Sequence, residues 1–110
     1  MRPRRFRRDV AGFVEVAKVS DIPAGRARIV VVAGHPVAVF NAGGEFFALE
    51  NVCLHRGGPI GDGVLDDGVV TCPWHGWQYD VRTGQNTTNA FARLRTFRVK
   101  VDGDSVMVAP

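Results

Sequence analysis

Apolar and polar residues alternate along most of this chain in short segments. Residues 13–19, FVEVAKV, mix apolar and polar positions as a half-buried strand does. Three more segments, rich in Val, Ile, Phe and Ala, follow at 27–34, 36–42 and 45–51. No segment keeps the spacing of an amphipathic helix over several turns. The pattern therefore predicts an all-β chain with eight or nine short strands.

Turn-forming residues separate these segments and predict hairpins. Glycine and Asp-Gly pairs favour the tight turns that join antiparallel strands. Further strands are expected within 63–72, 77–85 and 93–109, and only residues 9–12 or 86–92 fit a helical turn. The predicted turns lie at 42–44, 66–68, 82–84 and 102–103.

The charge is divided unevenly along the 110 residues. Five of the 14 basic residues are arginines within the first eight positions, which leaves nine basic and eleven acidic side chains in the rest, a net charge of −2. We expect residues 1–8 to form a flexible basic arm and residues 9–110 a single domain. A basic arm suits nucleic acid or an anionic membrane, but a solvated terminus explains it as well, so neither partner is predicted.

No apolar run approaches the roughly 20 residues that span a bilayer. The paired arginines are not followed by the apolar stretch and small-residue cleavage site of an export signal. The sequence therefore predicts a cytoplasmic protein without a membrane span.

Both cysteines and two of the three histidines lie in two short motifs, CLH at 53–55 and CPWH at 72–75. In an extended segment Cys53 and His55 project to the same side, and a turn after Pro73 brings His75 beside Cys72. The predicted hairpin between the motifs lets the two pairs face each other. We therefore expect a metal centre between two loops. The glycines that follow would let the backbone approach closely and adopt positive φ, so that their N–H groups can point at the sulfur atoms; they are Gly57, Gly58, Gly61, Gly63 and Gly76.

Three kinds of metal centre fit this pattern to different degrees. A structural zinc site takes two Cys and two His, but the single residue between Cys53 and His55 is shorter than the usual spacing. A mononuclear copper site favours a Met or a different ligand number. A [2Fe–2S] cluster with two Cys on one iron and two His on the other explains why both pairs read Cys then His.

The two motifs resemble the boxes C-x-H and C-x-x-H-G of Rieske iron–sulfur proteins. The flanking RGGP and YDVRTG are similar too, and the resemblance spans about residues 12–108. It implies the Rieske fold, an antiparallel β-sandwich or barrel base with a small two-loop cluster-binding subdomain at about 51–85. It also implies one [2Fe–2S] cluster per chain, with the cysteines on one iron and the histidines on the outer iron. The implied ligands are Cys53, Cys72, His55 and His75.

Within that family, the chain resembles a bacterial Rieske-type ferredoxin. The respiratory cytochrome bc branch carries two further cysteines that form a disulfide, and Gly58 and Trp74 stand at the matching positions. Its Ser, a hydrogen-bond donor to the cluster, corresponds to Trp77, whereas its Tyr is kept as Tyr79, which implies a hydrogen bond to a cysteine sulfur. One donor fewer implies a potential toward the low end of the Rieske range, about −150 mV rather than +300 mV.

The resemblance implies an electron carrier rather than an enzyme. It would take electrons from an NAD(P)H-dependent flavin reductase and pass them to a terminal oxygenase of the ring-hydroxylating type. Only His35 remains beyond the implied ligands, so an oxygenase's 2-His-1-carboxylate iron cannot be built, and His35 is expected at the surface. Docking is expected at the histidine tip, within an apolar rim. The rim would comprise Pro59, Ile60, Trp74 and Trp77, although Trp77 fits the core equally well. Asp62, Asp66 and Asp67 could steer a basic partner, but a solvated hairpin tip is the favoured interpretation of these three.

Two alternatives stay open at this point. The small Rieske-like subunit of an assimilatory NAD(P)H nitrite reductase is similar in size and motifs. A zinc-stapled binding module that uses the basic arm for nucleic acid belongs to a different class. A coloured protein with an EPR signal in the reduced state would distinguish the cluster from zinc.

Overall fold

The computed structural model describes residues 11–110, so the predicted arm at 1–8 and part of the predicted turn at 9–12 lie outside the described residues. The described residues form nine strands, as the alternation predicted, and two one-turn 3-10 helices at Val19–Asp21 and Ile60–Asp62. The strands are β1 Val14–Lys18, β2 Ala27–Val32, β3 His35–Ala42, β4 Glu45–Glu50, β5 Val64–Asp66, β6 Val69–Thr71, β7 Gln78–Asp80, β8 Thr96–Asp102 and β9 Ser105–Ala109.

Six strands form one antiparallel sheet in the order β1-β9-β8-β4-β3-β2, which curls into a nearly closed barrel. The remaining strands form a small antiparallel sheet in the order β5-β6-β7, within the span predicted for a cluster-binding subdomain. The chain is thus all-β, as predicted. No helix among residues 11–110 is long and apolar enough to cross a bilayer.

The predicted hairpin turns are present, and their backbone angles explain their residues. Gly43 and Gly44 join β3 to β4 with φ of 67° and 101°, and Asp67 and Gly68 join β5 to β6 with φ of 50° and 76°. Asp and Gly tolerate this left-handed region better than most residues. Of the two predicted helical turns, the one at 86–92 is wrong, because the side chain of Asn86 caps this loop without forming a helix.

The core contains two clusters of buried apolar side chains. One fills the barrel between β1, β2, β3, β8 and β9. The other lies beneath the two Cys/His loops, where Phe40 and Leu49 from the large sheet meet Val70 and Tyr79 from the small one. Both cysteines belong to this second cluster. The loops are therefore anchored in packed, apolar surroundings, which limits their freedom to move.

Candidate metal centre

The two Cys/His motifs form loops with the same backbone hydrogen bonds. In loop 1, residues 53–58, the N–H of Cys53 donates to the carbonyl of Gly58 (2.8 Å) and the N–H of Gly57 donates to that of Cys53 (2.7 Å). In loop 2, residues 72–77, Cys72 donates to Trp77 (2.7 Å) and Gly76 donates to Cys72 (3.0 Å). Each cysteine thus begins a closed turn of the same type, and its histidine lies within that turn.

Two glycines of these loops have the positive φ that was expected, but the glycines do not supply the N–H groups that donate to sulfur. Gly57 and Gly76 close the turns with φ of 75° and 77°, which a residue with a side chain adopts only under strain. The backbone donors to Cys53 sulfur are instead the N–H groups of His55 and Arg56. The donors to Cys72 sulfur are those of Trp74 and His75. The glycines shape each turn, and the residues between Cys and Gly supply the donors.

The two thiols lie together in the interior. Cys53 and Cys72 are each 2% exposed, and both belong to the same buried cluster. Burial raises the pKa of Cys72, and the neighbouring thiol adds to that effect. Burial acts in the same direction on Cys53, but hydrogen bonds from Tyr79, His55 and Cys72 outweigh it, so the pKa of Cys53 is lowered. Loop 1 therefore favours the thiolate, the form of cysteine that binds metals.

The two histidines lie on the exposed side of the same loops. The His55 and His75 rings are 4.7 Å apart between centroids and meet at 85°, edge to face. The pKa of His55 is lowered by burial and by the positive charges of His75 and Arg56, which favours the neutral imidazole that binds metals. The half-buried indole of Trp77 stacks on the His55 ring at 4.7 Å and 15°. This stack fixes the plane of the imidazole.

Tyr79 links the buried thiols to the small sheet. Its hydroxyl lies 3.5 Å from Cys53 Sγ, the contact that the resemblance implied, and it accepts a hydrogen bond from Leu54 N–H at 3.2 Å. Burial and the contact with Cys53 raise the pKa of Tyr79 to about 12. The hydroxyl therefore keeps its proton at physiological pH and is a donor for the sulfur.

Gly58 leaves the space that this packing needs. A Cβ at this position would lie 2.9 Å from Cys72 Sγ and 3.0 Å from the Trp74 indole. In the respiratory branch the two matching positions carry the cysteines of a disulfide. Here these positions, Gly58 and Trp74, are in contact instead, with the indole against the glycine backbone. Buried sulfur donors with N–H partners, exposed imidazoles and a glycine cradle together fit an iron–sulfur cluster.

The structure brings all four candidate ligands to one end of the molecule but corrects part of their predicted surroundings. Ile60 is fully buried in the core, so its place in the rim was wrong; Pro59 is half-buried, and Trp74 is 56% exposed. Leu54, 48% exposed, was missed. The sequence carried no signal for its exposure: residues 54–56 form a turn instead of the expected extended segment, with Cys53 buried and His55 exposed. His35 is exposed, as expected.

Asp62, Asp66 and Asp67 are exposed, as the favoured solvated hairpin tip requires, and they line two different concavities. Asp66 and Asp67 lie beside Glu45 and Arg82, whereas Asp62 lies in a neighbouring one.

A mononuclear zinc site requires its donors to surround one ion. Among residues 11–110, no group of three or more His, Cys, Asp or Glu side chains is arranged in that way. The donors form a buried sulfur pair and an exposed nitrogen pair.

A barrel with two paired Cys/His loops is the architecture of small iron–sulfur proteins that mix sulfur and nitrogen ligands. The chain belongs to the Rieske [2Fe-2S] domain family, whose model matches residues 12–98. Its cofactor is accordingly a Rieske-type [2Fe–2S] cluster. The chain is 45% identical over 74 residues to the ferredoxin component of biphenyl 2,3-dioxygenase from Rhodococcus jostii (strain RHA1), an alignment that covers 66% of this chain and 69% of that protein.

Solved structures agree with this assignment. The ferredoxin of carbazole 1,9a-dioxygenase from Nocardioides aromaticivorans IC177 superposes with a TM-score of 0.84 at 31% identity, covering 90% of this chain and 98% of that one. A chain from a complex of reduced oxygenase and oxidized ferredoxin in carbazole 1,9a-dioxygenase gives a TM-score of 0.81 at 34% identity, covering 88% and 92%. The Rieske fold predicted from the motifs is confirmed.

Proposed function

We propose that this chain is a one-electron carrier that links an NAD(P)H-dependent flavin reductase to a terminal oxygenase of the ring-hydroxylating type. One observation carries the proposal: two buried thiols and two exposed imidazoles lie on paired loops at one end of the barrel. Relatives of similar length are ferredoxin components of oxygenase systems, and one structural neighbour is part of a complex with its oxygenase. The chain itself transforms no substrate.

Cys53 and Cys72 would hold the inner iron, and His55 and His75 the outer one. The cluster, when bound, takes up one electron and releases it again. The chain surrounds the sulfur side with N–H and O–H donors, which favour the added negative charge of the reduced state. It also leaves the imidazole side exposed, so that a partner can approach closely.

The partner would dock on the tip, defined here as Leu54, His55, Pro73, Trp74 and His75. All five residues are exposed to solvent. Leu54 and Trp74 are the large apolar side chains among them. Apolar side chains around a small polar centre are typical of transient protein interfaces. The same surface would serve donor and acceptor in turn. A cytoplasmic location stays a prediction.

Cluster ligation is tested by anaerobic reconstitution of the wild type and single variants. We expect wild-type protein to hold iron and labile sulfide in the amounts of one [2Fe–2S] cluster and to give an EPR signal when reduced. Cys72→Ser and His75→Ala should lose the cluster. His35→Ala is the matched control, because His35 is exposed and lies in the large sheet. Bound zinc, or a full cluster in His75→Ala, would contradict the proposed ligands.

The partner is tested with the reduced protein. We expect rapid reoxidation by a purified ring-hydroxylating terminal oxygenase, with the biphenyl type tried first because of the 45% identical relative. An NADPH-reduced flavin reductase should in turn reduce the oxidised protein. Exchange with a nitrite reductase flavoprotein but with neither of these partners would favour the alternative subunit role.

A further inference from the structure

Phe91 is an aromatic side chain that lies entirely in solvent. It is 100% exposed, the highest value of any large apolar side chain within residues 11–110. A single exposed apolar residue is ordinary by itself. Phe91 differs because the loop that carries it is fixed by many hydrogen bonds and lies next to the metal centre.

Amide side chains fix the conformation of this loop. Gln85 Nε2 lies 3.1–3.3 Å from the backbone carbonyl oxygens of three loop residues, namely Asn89, Ala90 and Ala92. Asn86 Oδ1 accepts a hydrogen bond from Thr88 N–H (2.9 Å), and Asn89 Oδ1 accepts one from Phe91 N–H itself (3.0 Å). The backbone on both sides of Phe91 is therefore held before any partner binds, which lowers the entropy cost of binding.

The start of the loop lies against the small sheet beside the metal centre. Thr87 N–H donates to the carbonyl of Gln78 at 3.0 Å. Gln78 directly follows Trp77, whose indole stacks on the His55 ring. The loop therefore begins next to the residues that surround the exposed imidazoles.

The end of the loop runs toward the same end of the molecule. Glu50 N–H donates to the carbonyl of Arg95 at 2.9 Å, in continuation of the antiparallel β4–β8 pair. The two chains are antiparallel, so the chain from Arg95 back to Phe91 runs in the same direction as the chain from Glu50 forward to Leu54. Phe91 therefore lies at the end of the barrel that carries the tip.

Phe91 begins a row of exposed side chains. In residues 91–95, exposed and buried positions alternate. The exposed residues are Phe91, Arg93 and Arg95, whereas Ala92 and Leu94 are 7% and 1% exposed. Alternate residues of an extended segment project to the same side. One aromatic ring and two guanidinium groups thus share one face.

The two arginines are held in place without an opposite charge. Arg93 Nε donates to the carbonyl of Thr83 at 3.0 Å, and the guanidinium of Arg95 lies 4.6 Å from the centroid of the Phe97 ring. Within residues 11–110, neither guanidinium forms an ion pair with a carboxylate. The complement of this face is a surface that offers carboxylates to the arginines and an apolar pocket to the ring.

We propose that Phe91, Arg93 and Arg95 form an anchoring surface for the terminal oxygenase, with Phe91 entering an apolar pocket bordered by carboxylates. The inference rests on the proposed function, in which that oxygenase accepts the electron and docks on the adjoining tip. Aromatic and arginine side chains are the types that most often dominate binding energy at protein interfaces. The anchoring surface contributes affinity, whereas electron transfer itself occurs at the tip.

The first test is Phe91→Ala. We expect the Michaelis constant for the reduced protein, measured with a purified ring-hydroxylating terminal oxygenase, to rise about tenfold. The maximal rate, iron content and unfolding temperature should not change, because a fully exposed side chain supports no packing. Val31→Ala is the control: Val31 is 71% exposed but lies on β2 of the large sheet, and its loss should leave the Michaelis constant as it is.

The second test removes one charge. Arg95→Gln should lower kcat/KM at low ionic strength about threefold, as for an exposed ion pair, and make it less sensitive to salt. Arg95→Lys, which keeps the charge, should retain the salt dependence. Arg26→Gln is the control, because Arg26 is exposed and lies beside Asn41, near the β3–β4 turn. Equal effects of Arg95→Gln and Arg26→Gln would show that only net charge matters and would overturn the role of the arginines.

The outcomes separate this inference from the proposed function. If the wild type reduces the oxygenase and Phe91→Ala keeps the wild-type Michaelis constant, the anchoring surface is overturned alone. A wild-type dimer in size-exclusion chromatography that Phe91→Ala converts to a monomer, with an unchanged Michaelis constant, would assign the surface to a second copy of the chain and overturn the inference as well. If the wild type transfers no electrons to a ring-hydroxylating oxygenase, the proposed function fails and this inference fails with it.

Discussion

At the residue scale, the contact between Gly58 and Trp74 joins the two loops of the metal centre. Gly58 ends loop 1, and the indole of Trp74 from loop 2 lies against it, with Cys72 sulfur on the same side. Gly58 does not have the positive φ of its neighbour Gly57. A glycine is needed at 58 because of the space, and not because of the backbone conformation.

We therefore predict that Gly58→Ala disturbs the site by crowding. The new methyl group would lie 2.9 Å from Cys72 Sγ and 3.0 Å from the Trp74 ring, and the sulfur cannot move without losing its N–H donors. Overpacking of this kind costs about 1–3 kcal/mol. Thermal unfolding and iron content of the reconstituted variant should both decrease.

Gly76→Ala is the matched control in loop 2. Its Cβ would meet nothing within 4 Å, so this variant reports only the strain of a φ of 77°. We expect a loss of stability of about 1 kcal/mol with the iron content retained. If Gly58→Ala kept wild-type iron content and unfolding temperature, close packing of the two loops would be refuted.

Residue-level prediction succeeded where chemistry fixed the residue and failed where packing did. The Cys/His motifs identified which side chains lie together, and the role of these four residues as ligands stays a prediction. The burial of Ile60 was not predictable from the neighbouring glycines. A 3-10 turn directs its side chain into the core, where it is 0% exposed. Hydrophobicity alone does not tell a core residue from a rim residue.

At the scale of elements, alternation and turn residues were sufficient to predict the strands. The predicted turns at 42–44, 66–68 and 102–103 each join a pair of neighbouring strands, whereas the turn at 82–84 follows β7 and joins no strand pair. The loop at 86–92 was not predictable by periodicity, because its conformation depends on hydrogen bonds between the backbone and the side chains of Gln85, Asn86 and Asn89. Such side-chain caps compete with helix formation.

The β1–β9 pair contains a buried charge that alternation alone did not reveal. Glu15 on β1 is 6% exposed; it accepts a hydrogen bond from Ser105 Oγ (2.7 Å) and pairs with Lys18 Nζ (2.9 Å). A buried carboxylate requires such partners. The hydrogen bond to Glu15 raises the pKa of Lys18, burial opposes that shift, and Asp104 adds to it.

We predict that this ion pair gives a pH-dependent contribution to stability. Because the pKa of Lys18 is higher in the folded state than its ordinary 10.5, the contribution is complete below that pH and is lost as the pH rises through the folded pKa. The difference in unfolding free energy between wild type and Lys18→Met should therefore shrink in alkaline solution. Lys100→Met, which removes the other lysine, is the control. A difference that stays constant from about pH 9 to about pH 12 would contradict the role of the pair.

At the scale of the whole molecule, the two sheets together hold the two Cys/His loops in place. The second core cluster supports both loops from below, so the thiols face the interior and the imidazoles face solvent. The arrangement with thiols inside and imidazoles outside was predicted only through the family resemblance. The side of a loop that becomes buried depends on the sheets that the loop contacts, and the motifs do not specify those contacts. With the cluster held by the four side chains as proposed, the tip would be the part of the described surface nearest to it.

The last prediction concerns docking at that tip. Leu54→Glu removes an apolar side chain next to His55 and introduces a charge that a partner's apolar surface must desolvate. We expect the rate of electron transfer to the terminal oxygenase to fall about tenfold or more, the effect of roughly 1.4 kcal/mol, while iron content is unchanged. Val101→Glu is the control, since Val101 on β8 has the same 48% exposure as Leu54 but lies in the large sheet. Equal losses in both variants would show that added charge, and not the tip, sets the rate.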